Sequence, residues 1–267
     1  MADLFVPKAL AGKTAFIAGG TSGINLGIAQ RYAQLGANLV LLGRNQERLE
    51  AALGSLNGTP ALGISADVRD YAAVEAGFAK ATQKFGALDI VISGAAGNFL
   101  APAAGLSANG FKTVIDIDLI GTFNVFRAAW AHLQKPGASL IAITAGQAVH
   151  PMPFQAHACA AKAGINMLVK CLALEWGPAQ VRVNAISPGP IGETEGMSRL
   201  TPTPESEAAL KGKLALRDYG SKRDVADMAV FLASEAARYV TGSILNVDGG
   251  NDLGDASADA LTIPTRR

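Results

Sequence analysis

The chain is poor in the residues that several classes of protein require. Of its 267 residues 17% are charged, the net charge is +1, and there are two cysteines and three histidines. So balanced a charge offers no basic face for nucleic acid. Cys159 and Cys171 fall in one predicted helix and cannot staple a scaffold, so we expect free thiols. The few, scattered histidines predict no metal site.

Long hydrophobic runs are also missing. No apolar stretch approaches the roughly 18 residues that a membrane span requires. The first residues lack the long apolar core of a signal peptide. The last residues read Pro-Thr-Arg-Arg, unlike a peroxisomal address of the Ser-Lys-Leu type. We therefore expect a cytoplasmic protein with no membrane partner.

The chain is instead rich in apolar residues that recur in a regular alternation. With 49% hydrophobic residues it can bury one large core. Short apolar runs alternate with helical patterns, and no linker or repeat separates them. This pattern predicts a single α/β domain over residues 1–267, a doubly wound sandwich with a mostly parallel seven-stranded sheet. Long helices are expected over residues 107–133 and 155–176, a mobile lid over 188–219, and a C-terminal tail over 253–267.

The first binding signal lies in residues 14–44. An apolar run stops at two glycines, a helical pattern follows, and a second apolar run ends at Gly43. In a strand–turn–helix unit, glycines let a phosphate approach the backbone, and the helix N-terminus attracts the anion. The alternative is an ordinary tight turn. We expect a nucleotide site whose turn comprises Gly19, Thr21, Ser22, Gly23 and Ile24.

Arg44 directly follows the second strand, where an NAD enzyme carries an acid for the ribose 2′-hydroxyl. A guanidinium offers a charge-assisted grip on a 2′-phosphate instead. Arg44 therefore favours NADP as the cofactor. The alternative is a solvated arginine at the start of a helix.

The order of several motifs resembles the short-chain dehydrogenase/reductase family, whose fold is a Rossmann-like sheet. The turn GGTSGINLG matches the family's glycine signature, although Asn25 stands at the third glycine, which usually serves close packing of helix and strand. Later landmarks follow in order: Lys162 in Lys-Ala-Gly, Arg182-Val183-Asn184-Ala185, Pro188-Gly189, Tyr239-Val240-Thr241-Gly242 and Val247-Asp248-Gly249-Gly250. The resemblance implies cofactor contacts from the glycine turn, Arg44, Asp67, Val68, Ala95, Ala96, Lys162, Pro188, Gly189, Ile191 and Thr194. For Asp67 the alternative is the N-cap of the next helix.

The family's usual catalytic tyrosine, serine and asparagine are replaced. Their places hold Ala158, Ala145 and Asp118, and only Lys162 remains. Because a carbonyl reductase needs an acid beside the developing alkoxide, ordinary ketone and alcohol chemistry is disfavoured.

The pattern that remains resembles one branch, the 2,4-dienoyl-CoA reductases, and its peroxisomal type most. The segments that carry this likeness are residues 95–99, 116–118, 121–123, 175–177 and 188–196. It implies NADPH-dependent reduction of a conjugated double bond in an acyl-CoA. The alternatives are another carbonyl-conjugated substrate, or a catalytically silent NADP-binding member of the family.

On this resemblance Lys162 holds the nicotinamide ribose and places positive charge near an enolate. Asp118 orients Lys162 or a proton-carrying water, or else forms a structural ion pair. His157 donates to the thioester or is simply packed, and Thr144 offers a hydroxyl from the strand end.

Asn98 and Phe99 are expected to line the acyl slot, although Phe99 is alternatively plain core. Arg199 on the lid, with Lys211, Lys213 and Arg217, either meets the coenzyme A phosphates or is solvated. The two long helices look apolar on more than one face, at Phe126, Trp130, Leu168 and Leu172. The resemblance implies subunit contacts through them, and we expect a homotetramer.

Overall fold

A computed structural model of the chain describes residues 5–258. Seven strands form one sheet in the order β3-β2-β1-β4-β5-β6-β7. Within the described residues every strand pair is parallel. The α/β doubly wound prediction is confirmed, and the sheet is wholly rather than mostly parallel. The strands are β1 Thr14–Ala18, β2 Asn38–Gly43, β3 Ala61–Ser65, β4 Ile90–Ser93, β5 Ser139–Ile143, β6 Arg182–Pro188 and β7 Ile244–Val247.

Helices cover both faces of this sheet. The α-helices are α1 Gly23–Gln34, α2 Gln46–Gly54, α3 Tyr71–Phe85, α4 Ala108–Ile115, α5 Gly121–Ala129, α6 Ala156–Trp176, α7 Glu195–Leu200, α8 Pro204–Lys211 and α9 Lys222–Ala233. Short 3₁₀ turns lie at Ala103–Gly105, Trp130–His132, Gly146–Ala148, Gly177–Ala179, Glu235–Ala237 and Asn251–Leu253. None of the helices in residues 5–258 is long and apolar enough to cross a membrane.

The strands have two buried faces because successive side chains point to opposite sides of the sheet. Phe16 of β1 belongs to a core with α3, α5 and α6, and its ring stacks on Phe78 at a centroid distance of 4.0 Å. Ile17 belongs to the opposite core with α1, α2 and α9. Complete burial of each such side chain stabilises the fold by about 1.5–3 kcal/mol. The apolar runs in the sequence reflect this two-sided burial.

The predicted helix over residues 107–133 is present but not uniform. Between α4 and α5 the residues Asp116–Ile120 form a π-helical turn. A π turn inserts one extra residue, changes the face on which side chains emerge, and is frequent at functional sites. Here the turn contains Asp118, whose side chain is 1% exposed.

The residues on which we based subunit contact lie mainly inside the monomer. Phe126 and Leu172 are buried in the sheet core, and Trp130 and Leu168 pack against it half-buried. That basis for a tetramer is therefore wrong, because these side chains face the sheet. Other apolar side chains on the same helices are exposed: Ile120, Phe123, Met167 and Leu174.

The predicted lid contains two short helices. Thr194 caps α7 by accepting a hydrogen bond from the Met197 N–H, and Thr203 caps α8 through a reciprocal bond with Ser206. The first part of the predicted C-terminal tail includes the turn Asn251–Leu253. Residues 259–267 of that tail lie outside the described part of the chain.

Candidate active site

A cleft of about 730 Å³ opens where the central strands end at their carboxyl termini. Ligands bind at this edge of doubly wound sheets, where the strand order reverses on either side of β1. Most of the predicted site residues meet in its wall: Gly19, Thr21, Ser22, Gly23, Ile24, Arg44, Asp67, Val68, Ala95, Ala96, Thr144, Lys162, Pro188, Gly189 and Thr194.

The glycine turn has the shape that a phosphate requires. Gly19 has a φ of +78°, and a Cβ there would lie 2.7 Å from the Ala95 backbone nitrogen. Gly23 has a φ of +56° and begins α1, and a Cβ there would meet nothing within 4 Å. Gly23, Ile24 and Asn25, the first residues of α1, line the cleft at the positive end of the helix dipole, where backbone N–H groups have no intrahelical partner. This cradle fits a pyrophosphate.

Asn25 takes over the contact that the missing third glycine usually makes. Its Nδ2 donates to the Gly94 carbonyl at 2.8 Å and to the Gly19 carbonyl at 3.3 Å. A side chain at Gly94 would collide with Asn25, because a Cβ there would lie 2.3 Å from Asn25 Oδ1. The buried Asn25 amide therefore joins the glycine turn to the end of β4. The glycine that allows this close approach is Gly94, after β4, rather than a third glycine in the turn.

Charged side chains converge at the far end of the cleft, after β2 and β3. Arg44 Nη1 lies 3.6 Å from Asp67 Oδ2, and the Arg44 side chain is 61% exposed. Arg69 donates its backbone N–H, Nε and Nη2 to the Asp67 carboxylate at 2.7–3.0 Å. These hydrogen bonds from Arg69 lower the pKa of Asp67, and the charge of Arg44 adds to the effect. The N-cap alternative for Asp67 is wrong, since Asp70 caps α3 by accepting the Ala73 N–H.

A buried ion pair lies at the inner end of the cleft. Lys162 Nζ is 3.1 Å from Asp118 Oδ2, and the two side chains are 12% and 1% exposed. The other oxygen of Asp118 accepts the Gly97 N–H at 2.7 Å, and Lys162 also donates to the Ile143 carbonyl at 3.2 Å. The π turn aims the carboxylate inward, and the strand ends β4 and β5 supply the backbone partners. Ala158, at the place of the usual tyrosine, lies one helical turn before Lys162 and is buried in an apolar cluster with Val114 and Ala161.

The two other candidate catalytic residues have different surroundings. Thr144 lines the cleft, but its hydroxyl makes a long bond of 3.4 Å to the Lys162 carbonyl. His157 is fully buried, and neither ring nitrogen has a partner within residues 5–258. Its ring lies against Phe99 at a centroid distance of 4.5 Å, outside the cleft wall.

The predicted substrate residues Asn98, Phe99 and Arg199 do not lie in the cleft wall. Phe99 is 43% exposed, so it is not plain core. Asn98 donates to Gln155 Oε1 at 2.7 Å, which joins the loop after β4 to the start of α6. Arg199 pairs with Glu195 on the exposed face of α7. Ile191, predicted to touch the cofactor, is 2% exposed and lies outside the wall.

Several wall residues were not predicted from the sequence: Asn25, Arg48, Gln147, Met152, Met197, Leu200, Leu210 and Asn251. The apolar members come from the loop before α6 and from the lid. Their sequence signal is weak, because Met152 lies in a loop and Met197, Leu200 and Leu210 lie in two helices too short to show a clear apolar period. The apolar character of that end suits a hydrocarbon chain.

Comparison with known proteins agrees with this geometry. A family model described as Enoyl-(Acyl carrier protein) reductase matches residues 18–252. The peroxisomal 2,4-dienoyl-CoA reductase of Saccharomyces cerevisiae is 43% identical over 250 residues, 91% of this chain and 85% of the yeast protein. A probable 2,4-dienoyl-CoA reductase of Bacillus subtilis is 37% identical over 247 residues, 90% of this chain and 97% of its own length.

Among solved structures, a short-chain dehydrogenase/reductase of Serratia marcescens superposes with a TM-score of 0.85 at 29% identity. The match covers 91% of this chain and 99% of the Serratia protein. The chain belongs to the short-chain dehydrogenase/reductase family of oxidoreductases, enzymes that use a nicotinamide cofactor.

Proposed function

We propose that the chain is an NADPH-dependent 2,4-dienoyl-CoA reductase, which reduces a conjugated carbon–carbon double bond of an acyl-CoA. The observation that carries this proposal is the buried Lys162–Asp118 pair at the inner end of the cleft, with Ala158 one helical turn before Lys162 in place of a tyrosine. The cleft therefore offers the positive charge of Lys162 to the substrate, whereas the family's usual tyrosine would donate a proton. The names of the yeast and Bacillus relatives support the same reaction.

The wall of the cleft fits a dinucleotide along its length. The open backbone at Gly23 receives the pyrophosphate, Val68 and Asp67 flank the adenine, and Arg44 takes the 2′-phosphate of NADPH. Lys162 holds the nicotinamide ribose, and the backbone of residues 188–194 lies on the carboxamide side. The reduced cofactor supplies a hydride when bound.

Lys162 has a second task toward the acyl thioester. Reduction of a conjugated double bond collects negative charge on the thioester oxygen as an extended enolate. A fixed ammonium in a site shielded from water stabilises such charge far better than it would in bulk solvent. Lys162 is ion-paired with Asp118, donates to the Ile143 carbonyl and lines the cleft, so its charge lies at the wall where the thioester would bind. A positioned water then delivers the proton to carbon.

Asp118 acts on Lys162 rather than on a water. One carboxylate oxygen accepts the Gly97 N–H and the other faces the ammonium, so both oxygens already have protein donors. The carboxylate holds the Lys162 side chain in place against the backbone of β5. Asp118 is therefore a positioning residue in this proposal.

The acyl-CoA approaches over Phe99 and the apolar side chains of the lid and of the loop before α6. The basic lid residues contribute less than their charge suggests. Arg199 and Lys211 pair with Glu195 and Glu207, and Arg217 donates to backbone carbonyls. Lys213 lies 3.9 Å from Asp255. Of the four, Lys213 has the loosest pairing and is the best candidate for a coenzyme A phosphate.

Assembly and location are also part of the proposal. We infer a homotetramer whose subunit contacts involve the exposed Phe123 and Met167 of the two long helices. Sedimentation of a monomer at micromolar concentration would contradict this. We expect the enzyme in the cytoplasm, although several relatives are named peroxisomal.

The proposed activity is tested by following NADPH oxidation with three substrates: a 2,4-dienoyl-CoA, a 2-enoyl-CoA and a simple ketone. We expect rapid turnover of the dienoyl-CoA and none of the ketone, because Ala158 has no proton to give. Turnover of the 2-enoyl-CoA alone would indicate a different conjugated substrate. NADPH binding without turnover of any acyl-CoA would indicate a catalytically silent protein.

A further inference from the structure

Arg69 lies next to the proposed cofactor site but outside its wall. Its guanidinium donates Nε to Asp67 Oδ1 at 3.0 Å and Nη2 to Asp67 Oδ2 at 2.7 Å. Its backbone N–H also donates to Asp67 Oδ1 at 2.9 Å. The contact is bidentate and charge-assisted, the strongest kind of side-chain pairing near a surface.

Asp67 is a potential obstacle to a 2′-phosphate. β2 and β3 are parallel neighbours with Gly43 beside Ser65, so the residues that follow them emerge side by side. This places the Asp67 carboxylate 3.6 Å from the Arg44 guanidinium. Without Arg69, the carboxylate would draw Arg44 from this loose 3.6 Å ion pair into a closer one and would repel a dianionic phosphate. Asp67 therefore competes directly with the proposed ligand of Arg44.

From this geometry we infer that Arg69 sets cofactor selectivity by holding Asp67 away from Arg44. Arg69 is then a positioning residue, and the inference rests on the proposed role of Arg44 with NADPH. One arginine neutralises the carboxylate through three hydrogen bonds, and a second cation remains for the phosphate. The geometry of Arg44 supports these separate roles for the two arginines. Its guanidinium lies farther from Asp67 than a hydrogen bond allows, and most of its side chain is exposed.

Helix α5 fixes the backbone of Val68 and Arg69. The buried Asn124 of α5 donates Nδ2 to the Val68 carbonyl at 2.9 Å and to the Arg69 carbonyl at 3.4 Å. Gly121 lets Val68 pack directly on the helix, since a Cβ there would lie 2.6 Å from Val68 Cγ2. Helix α5 thus holds the backbone from which Arg69 reaches Asp67.

The test measures dissociation constants for NADPH and NADH by calorimetry, with no substrate present. Their ratio cancels any contact that Asp67 makes with adenine, because both cofactors share that contact. In Arg69→Ala we expect the preference for NADPH to fall about threefold to tenfold, while NADH affinity changes less than about twofold. In the double variant Arg69→Ala/Asp67→Asn the preference should return to within about twofold of the parent, since the competing charge is gone.

Two further variants separate selectivity from structure. Arg223→Ala removes an arginine that also pairs with an aspartate, Asp227 at 2.7 Å, but outside the cleft wall. It should leave both cofactor affinities unchanged. If Arg69→Ala does not fold, Arg69→Gln keeps most of the side-chain length and should give the same loss of preference.

Adenosine 2′,5′-bisphosphate and adenosine 5′-monophosphate test the adenosine end alone. We expect Arg69→Ala to weaken binding of the bisphosphate and to leave binding of the monophosphate unchanged. An unchanged NADPH preference in Arg69→Ala would overturn the inference, and so would a loss that Asp67→Asn does not restore. A parent protein that binds NADPH and NADH equally would instead contradict the cofactor proposal itself, and with it this inference.

Discussion

The two ends of the cleft use the same chemical pair, a carboxylate and a cation, under opposite conditions. At the inner end Asp118 and Lys162 are 1% and 12% exposed, and each is held by backbone partners. At the adenosine end Asp67 meets Arg44 and Arg69, whose side chains are 61% and 41% exposed. Water therefore screens the charges of Asp67, Arg44 and Arg69, whereas the Asp118–Lys162 pair is largely shielded from water.

This difference decides what each pair can do. Removal of one partner from a buried pair leaves an uncompensated charge and costs about 3–5 kcal/mol, whereas an exposed pair contributes about 0–1 kcal/mol. The inner pair is therefore suited to hold a fixed charge for chemistry. The outer group is suited to choose between ligands, since its members can exchange partners at little cost.

Lys162→Ala should have the largest effect, because it acts on the buried pair. It removes the proposed ribose contact and the charge beside the enolate, and it leaves Asp118 buried without a cation. We expect turnover to fall by more than about a hundredfold, weaker cofactor binding, and a loss of about 3–5 kcal/mol in the free energy of unfolding. Steady-state kinetics and urea denaturation measure these effects. Unchanged turnover would mean that the chemistry lies elsewhere.

Arg44→Ala should have an intermediate effect, confined to one cofactor. Loss of the 2′-phosphate contact should weaken NADPH about tenfold, or about 1.4 kcal/mol, with little change for NADH. Stability should hardly change, since the side chain is exposed. Competitive titration of the two cofactors checks this. Equal weakening of both would show that Arg44 does not contact the 2′-phosphate.

His157→Leu should have a smaller effect on turnover, below about tenfold. The ring nitrogens of His157 have no partners within the described residues, so an apolar replacement of similar size loses no hydrogen bond. The free energy of unfolding should stay the same or rise. A hundredfold loss of turnover at unchanged stability would instead assign His157 to the thioester.

The smallest expected effect is a pH dependence at the outer group. The pKa of Asp67 is lowered in the folded chain, first by the Arg69 hydrogen bonds. Its stabilising contribution is therefore present above the unfolded pKa of about 3.9 and is lost as pH falls through the lower, folded pKa. Parent and Asp67→Asn should differ by less than about 1 kcal/mol at pH 7, and the difference should shrink as the pH falls below the unfolded pKa of about 3.9. Thermal unfolding across this range measures the difference; a gap that widens in acid would contradict it.

The contrast between the two ends also separates what sequence can predict from what it cannot. The strands and the phosphate turn were predictable, because two-sided burial produces continuous apolar runs and glycines mark the close approach. Arg44 was predictable from its place at the end of a strand. Arg69 was not, because its importance depends on the parallel register that brings Gly43 beside Ser65.

The inner end shows the same limit. Asp118 and Lys162 were identified by resemblance, but their direct contact depends on the π turn Asp116–Ile120. An apolar repeat over residues 107–133 does not distinguish i→i+5 from i→i+4 bonding. The faces of the long helices were misjudged for a related reason, since apolar spacing alone does not say that Phe126 and Leu172 face the sheet.

The most direct test of the central claim is turnover of Asp118→Asn with saturating NADPH and a 2,4-dienoyl-CoA. An asparagine of the same size can still accept the Gly97 N–H, but it no longer balances the charge of Lys162. If the pair replaces the missing tyrosine, kcat should fall at least about a hundredfold while NADPH affinity changes little. Asp116→Asn, which removes a neighbouring half-buried carboxylate that pairs with Lys112 on the same turn, should leave kcat unchanged. A rate for Asp118→Asn like that of the parent would contradict the account.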